Sequence, residues 1–99
     1  MKNYLSQINK LFENRVRLAV MSLLMVEEWL DFGRLKETLD LTDGNLSSHI
    51  NKLEGAGYVE VRKRFVGKKP QTSYRATAKG RKAFQDHLDA LENIIRGGN

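Results

Sequence analysis

Apolar residues recur along most of the chain at helical spacing, and the places where that period breaks divide it into elements. Tyr4, Ile8 and Leu11 stand at i, i+4, i+7 with Leu5 and Phe12 beside them, which predicts a short amphipathic helix over 4–12, ending or bending near Asn14. From Arg15 to Glu27 the pattern is denser. Val16, Ala19, Val20, Leu23 and Leu24 form one stripe and Leu18, Met21 and Met25 lie opposite, so this helix is expected to be buried on two sides. Trp29 to Phe32 reads as a short extended piece, and Gly33 to Leu39 as a brief helix with Leu35 and Leu39 on its core side. Thr42 is placed to N-cap the next helix and Asp43 suits its first turn. Leu46, Ile50 and Leu53 give that helix its buried stripe before Gly55 and Gly57 stop it.

The period then changes. Val59, Val61 and Phe65 fall on one face of a strand over Tyr58 to Val66, with Lys63 the exception to the alternation. Gly67-Lys68-Lys69-Pro70 has turn chemistry, and Ser73 to Thr77 reads as a second strand with Tyr74 and Ala76 inward. Helical spacing returns over 78–96, where Phe84, Leu88, Leu91 and Ile95 form one stripe flanked by Ala83, Ala90 and Ile94. The result is a mainly α chain with a small antiparallel β hairpin.

Composition narrows the class. Ninety-nine residues, 40% of them hydrophobic, suffice for one domain over 1–99 that buries about two-thirds of its unfolded surface. The absence of cysteine excludes disulfide frameworks, thiolate zinc sites and cysteine nucleophiles. The longest apolar run, Leu18 to Val26, is shorter than the roughly 20 residues that span a bilayer, and Met1 to Tyr4 lacks signal-peptide architecture. The expectation is a cytoplasmic protein with no membrane association. No segment repeats another, and Gly97-Gly98-Asn99 is the only linker-like piece.

Charge is distributed unevenly. Residues 1–60 carry 7 Lys/Arg against 9 Asp/Glu, a net −2, whereas residues 61–99 carry 10 against 3, a net +7. Arg62, Lys63, Arg64, Lys68, Lys69, Arg75, Lys79, Arg81 and Lys82 follow one another with no carboxylate between them. Such a field favours a polyanion, although a solvated, solubilising face has the same composition. Arg64, Lys68, Lys69 and Arg75 are candidates for phosphates or a minor groove, while Arg62 and Lys63 could serve to shield an edge strand.

Three helices, a hairpin with a cationic loop and a closing helix follow one another in the order of a winged helix-turn-helix domain. The helix over 43–54 takes the position of the recognition helix. Turning each residue by about 100° with Leu46 set to the core points Gly44, Asn45, Ser48, Asn51 and Lys52 outward, with Ser47 and His49 on the flanks. None is acidic. Asn can pair with adenine edges, Ser with bases or phosphate, Lys52 with guanine or phosphate, and Gly44 lets the helix start approach a backbone closely. A merely soluble outer face would also be polar.

Residues Leu41-Thr42-Asp43-Gly44-Asn45-Leu46-Ser47-Ser48-His49-Ile50-Asn51-Lys52-Leu53-Glu54-Gly55-Ala56-Gly57-Tyr58-Val59 resemble small winged-helix transcriptional regulators related to MarR. Phe65-Val66-Gly67-Lys68-Lys69-Pro70-Gln71-Thr72 and Tyr74-x-Ala76-Thr77-x-x-Gly80-Arg81 are similar as well, and the likeness extends from about Leu11 to Ile95. The resemblance implies a dimeric, sequence-specific regulator, a repressor in the main expectation, with the helix at Asp43 in the major groove and the hairpin over 62–75 as wing. Its DNA-binding set is Thr42, Gly44, Asn45, Ser47, Ser48, His49, Asn51, Lys52, Arg64, Lys68, Lys69 and Arg75. Ala76 departs from the pattern, in which a larger aliphatic is usual.

No enzyme is expected: catalytic carboxylate pairs, nucleophile elbows and dinucleotide fingerprints are missing. Gly67-Lys68-Lys69 lacks P-loop spacing, and the segment from Asp40 carries Asn51 where a calcium loop needs Glu. His49 and His87 lack companions at ligand spacing, so neither a metal site nor a cofactor is expected. Trp29 could line a small-molecule pocket or serve packing at a core or interface.

The two wide helices raise the question of a second chain. Leu18, Met21 and Met25, with Leu88, Leu91 and Ile95 or the Ala90/Ile94 side, are the candidate homodimer interface, the 4–12 and 78–96 helices its elements. Alternatively the first helix folds back over them. A dimer would present two recognition helices to an inverted-repeat duplex about one helical turn, ~34 Å, apart. The competing reading is a winged-helix module that grips a protein partner without DNA; RNA binding ranks below both for want of expected aromatic platforms.

Overall fold

The computed structural model describes residues 4–97. The elements are α1 (Tyr4–Gln7), a 3-10 turn (Lys10–Phe12), α2 (Arg15–Val26), β1 (Leu30–Asp31), α3 (Phe32–Leu39), α4 (Asp43–Gly55), β2 (Val59–Val66), β3 (Lys69–Ala76) and α5 (Ala78–Ile95). Local chemistry sets their starts. Asn14, Asp31, Thr42 and Thr77 each accept, through the side chain, a backbone N–H of the first turn of α2, α3, α4 and α5 respectively. The expected first helix is instead broken at Ile8–Asn9, because Asn9 leaves helical geometry to cap the 3-10 turn (φ −81°, ψ 120°).

Three strands form the sheet in the order β1-β3-β2, all antiparallel. The extended piece after Trp29 shrinks to two residues, since Phe32 already opens α3, but those two pair with Tyr74 and Ser73 and so add a strand to the hairpin. The hairpin closes on Val66 opposite Lys69, leaving Gly67 and Lys68 as its turn. Gly67 has φ +64° and Lys68 does not have a positive φ, the combination of a type II′ turn.

The core gathers Phe12, Val20, Met21, Leu24, Leu35, Leu46, Ile50, Leu53, Val59, Tyr74, Ala76 and Phe84. Helix α2 runs through its middle and packs on the 3-10 turn, α3, α4 and β3, which explains its two apolar sides. Met21 is therefore 0% exposed and has no surface to offer a partner, contrary to its expected interface role; Leu18 and Met25 are half-buried against the same core. Helix α5 is rotated from its expected stripe. It buries Gly80, Phe84, His87 and Ala90, leaving Leu88, Leu91, Ile94 and Ile95 exposed. Phe12 meets Phe84 edge-on at 5.2 Å and stacks on Tyr58 at 5.6 Å, so the N-terminal segment does fold back onto α5. The hairpin outruns the core: Val59 is buried, but Phe65, expected inward, is 73% exposed. The molecule measures 57 × 25 × 21 Å.

Candidate nucleic-acid interface

Helix α4 separates its faces cleanly. Leu46, Ile50 and Leu53 are buried, while Gly44, Asn45, Ser47, Ser48, Asn51 and Lys52 are exposed and His49 is half-buried. The hydroxyl of Thr42 accepts the Asn45 N–H at 3.2 Å, and Lys36 pairs with Asp43 at 2.8 Å, tying the helix start to α3. A Cβ added at Gly44 meets nothing within 4 Å, so packing inside the chain does not demand glycine there.

His49 is held from behind. An Arg17 guanidinium nitrogen lies 2.9 Å from its Nδ1, and Arg17 Nε donates to the Leu11 carbonyl at 2.6 Å. Because guanidinium only donates, Nδ1 accepts and the proton sits on Nε2. Burial first, then the charges of Arg17 and Lys52, push the His49 pKa below its ordinary 6.5 and keep the ring neutral.

Of the nine cations in the 62–82 run, most are engaged within the chain. Arg75 is ion-paired to Glu60, its partner across the ladder, and lies 3.9 Å from Glu28. Arg62 sits 4.0 Å over the Trp29 ring with its Nε buried and unpartnered, and Arg75 lies 4.9 Å from the same ring. Trp29 is thus a stacking post for the base of the hairpin. Arg81 reaches the Leu24 and Met25 carbonyls at 3.4 Å, Lys82 pairs with Asp86 at 3.0 Å, and Lys79 lies over Tyr58. Arg75, expected among the DNA contacts, thus has its charge engaged by carboxylates at the foot of the hairpin, far along the strand from the turn.

What remains is Lys63, Arg64, Lys68 and Lys69. All four are exposed and, among the described residues, none pairs with a carboxylate. Lys63, expected with Arg62 to shield an edge strand, does lie on the edge strand β2 and is exposed beside the other three. A cleft of about 590 Å³ is lined by Glu28, Glu60, Arg75, Thr77 and Arg81, among which Arg75 pairs with both glutamates. Among the described residues no three His, Cys, Asp or Glu converge on a metal position, and no helix is long and apolar enough to cross a membrane.

Sequence reasoning missed the part played by His87. Only 3% exposed, it accepts the Asn9 N–H on Nδ1 at 3.1 Å, while Asn9 Nδ2 donates to the Tyr58 hydroxyl at 2.9 Å. Burial lowers its pKa, and the Glu13 charge opposes that shift without reversing it.

Comparison with known proteins agrees with this architecture. Residues 16–95 match the winged helix DNA-binding domain family. An uncharacterized protein of Methanocaldococcus jannaschii is 42% identical over 79 residues, covering 80% of this chain and 86% of that one. A transcriptional regulator homologue from Pyrococcus horikoshii superposes with a TM-score of 0.85 at 34% identity, over 95% of each chain. Two more distant structures share the fold. The YusO protein of Bacillus subtilis (TM-score 0.79, 15% identity) is matched over 94% of this chain and 65% of its own. The regulator BldR of Sulfolobus solfataricus (0.68, 17%) is matched over 93% and 68%. The match is to a family of DNA-binding domains and not to one of enzymes, and on its extent the chain belongs to the winged helix DNA-binding domain family.

Proposed function

We propose that this protein is a sequence-specific double-stranded DNA-binding regulator of transcription, acting in the cytoplasm as a homodimer and repressing by occupying an inverted-repeat operator. The observation that carries the reading is the contrast in the basic run: its other cations are engaged at home, whereas four at the hairpin tip have no acidic partner. That hairpin is the one α4 packs against, and the outward positions of α4 from Gly44 to Lys52 carry no acid, the exposed Asp43 and Glu54 lying at the helix ends. In this reading α4 lies in the major groove. Asn45, Ser47, Ser48, His49 and Asn51 face base edges and nearby phosphates, Lys52 takes guanine or phosphate, and Thr42 orders the helix start. Lys63, Arg64, Lys68 and Lys69 hold phosphates along the minor groove. Glycine at position 44, unexplained by the chain's own packing, is explained by a duplex backbone passing the helix start.

The exposed Leu88, Leu91, Ile94 and Ile95 of α5 supply the dimer contact, with Leu18 and Met25 reduced to a supporting layer. Selection of binding sites from random duplexes tests the whole reading. The expected product is an inverted repeat with half-site centres about one helical turn apart. Enrichment of no duplex would refute it, and a nucleic-acid-free complex seated on the α5 face would establish the protein-docking alternative.

A further inference from the structure

The hairpin tip is cationic, yet it carries an exposed aromatic ring that the fold does not use. Phe65 is 73% exposed and occupies the same strand face as buried Val59 and half-buried Val61, six and four residues beyond them respectively, where no domain lies beneath it. Its ladder partner is Pro70, also exposed. Antiparallel partners share a face, and in a hairpin closed by Val66 and Lys69 the Phe65–Pro70 pair is the non-hydrogen-bonded kind, in which side chains stand closest. Proline there costs no ladder bond. The two-residue turn puts this pair one step from the tip, where a ring edge, and not the whole ribbon, is what a minor groove about 6 Å wide admits.

We propose that Phe65, seconded by Pro70, is an apolar wedge that enters the minor groove, partly unstacks one base step and bends the duplex. Lys63, Arg64, Lys68 and Lys69 hold the phosphates on either side. The inference rests on the duplex-binding reading above. Charge complementarity selects the occupant: the same tip carries four cations with no carboxylate partner, Lys63 on the face of the ring and Arg64 and Lys69 on the other, so a duplex is drawn to it, whereas the tip of a second copy is repelled. A wedge works most easily at pyrimidine–purine steps, which unstack at least cost, so sites are expected to carry TA or CA under the wing.

The test uses a selected duplex with a donor and an acceptor dye at its two ends. Wild-type protein and Phe65→Leu should shorten the end-to-end distance, in keeping with a kink of about 20–90°. Phe65→Ala should bind roughly tenfold more weakly, leave the duplex straight, and keep the wild-type salt slope, because no charge is removed. Its thermal unfolding should match wild type, since Phe65 packs on nothing in the core. If Phe65→Ala binds within twofold of wild type and bends the duplex equally, the wedge is overturned while the duplex-binding reading stands. If wild type retains no duplex at all, both fall together.

Discussion

Replacing Gly80 with alanine tests the packing that seats the hairpin on the domain. A Cβ at position 80 falls 2.1 Å from the Tyr58 carbonyl oxygen, 2.8 Å from its carbonyl carbon and 2.9 Å from its Cα. Ordinary contact begins at 3.4 Å, so the start of α5 and the start of β2 must separate by 1.3 Å, and the obstacle is backbone that cannot rotate aside. The same carbonyl accepts the Thr77 N–H at 3.0 Å, and the Thr77 hydroxyl both donates to the Gly57 carbonyl at 2.6 Å and accepts the Gly80 N–H at 2.9 Å. Separation breaks this cap. Overpacking costs about 1–3 kcal/mol and a lost cap about 1 kcal/mol, against a gain of about 1 kcal/mol for alanine in a helix. The net loss is about 1–3 kcal/mol, or roughly 10 °C in Tm for a domain this size. Urea unfolding followed by far-UV circular dichroism should show a lower midpoint at unchanged slope. Gly55→Ala, whose Cβ meets nothing within 4 Å, is the control and should unfold at or slightly above the wild-type midpoint. A Gly80→Ala midpoint equal to wild type would refute the packing argument.

Gly44→Ala should separate stability from function: the new Cβ meets nothing, so thermal unfolding rises slightly, while duplex affinity falls about tenfold or more if a DNA backbone passes the helix start. Acid should destabilise the fold through His87. Its folded-state pKa is depressed, so the unfolded chain takes up the proton first; stability is full above about pH 7 and declines as pH falls through 6.5 toward the lowered value. His87→Gln should flatten that decline in pH-dependent melting curves. Leu88→Glu with Leu91→Glu should convert the proposed dimer to a folded monomer by sedimentation, and a dimer that survived both would move the interface elsewhere.

The helices from α2 onward and the polar face of α4 were legible because amphipathic periodicity depends on local spacing, whereas the helix expected over 4–12 breaks where Asn9 caps the 3-10 turn. Three features were not. Periodicity showed α2 apolar on two sides but could not say what covers the second side; the chain itself covers it, which removes Met21 from any interface. On α5, counting only apolar residues selected Leu88 and Leu91, whereas the buried stripe is completed by Gly80, His87 and Ala90. A small residue and a hydrogen-bonded imidazole carry little hydrophobic signal. Phe65 followed the alternation of its strand, but a strand can outrun its core, and Lys63 marked where that happens. Arg75 was recoverable. A two-residue turn at Gly67-Lys68 places Glu60 opposite it, so a ladder drawn from the turn would have shown its charge to be neutralised.

The central claim is that unpaired charge at the hairpin tip, rather than the basic run as a whole, engages the duplex. The direct measurement is the slope of log affinity against log salt for a selected duplex, compared across single substitutions. Arg64→Gln, Lys68→Gln and Lys69→Gln should each reduce the slope by about 1, and Lys82→Gln, whose charge is paired to Asp86, should leave it near the wild-type value. Equal slopes for wild type and all three tip variants, or an affinity indifferent to salt, would contradict the account.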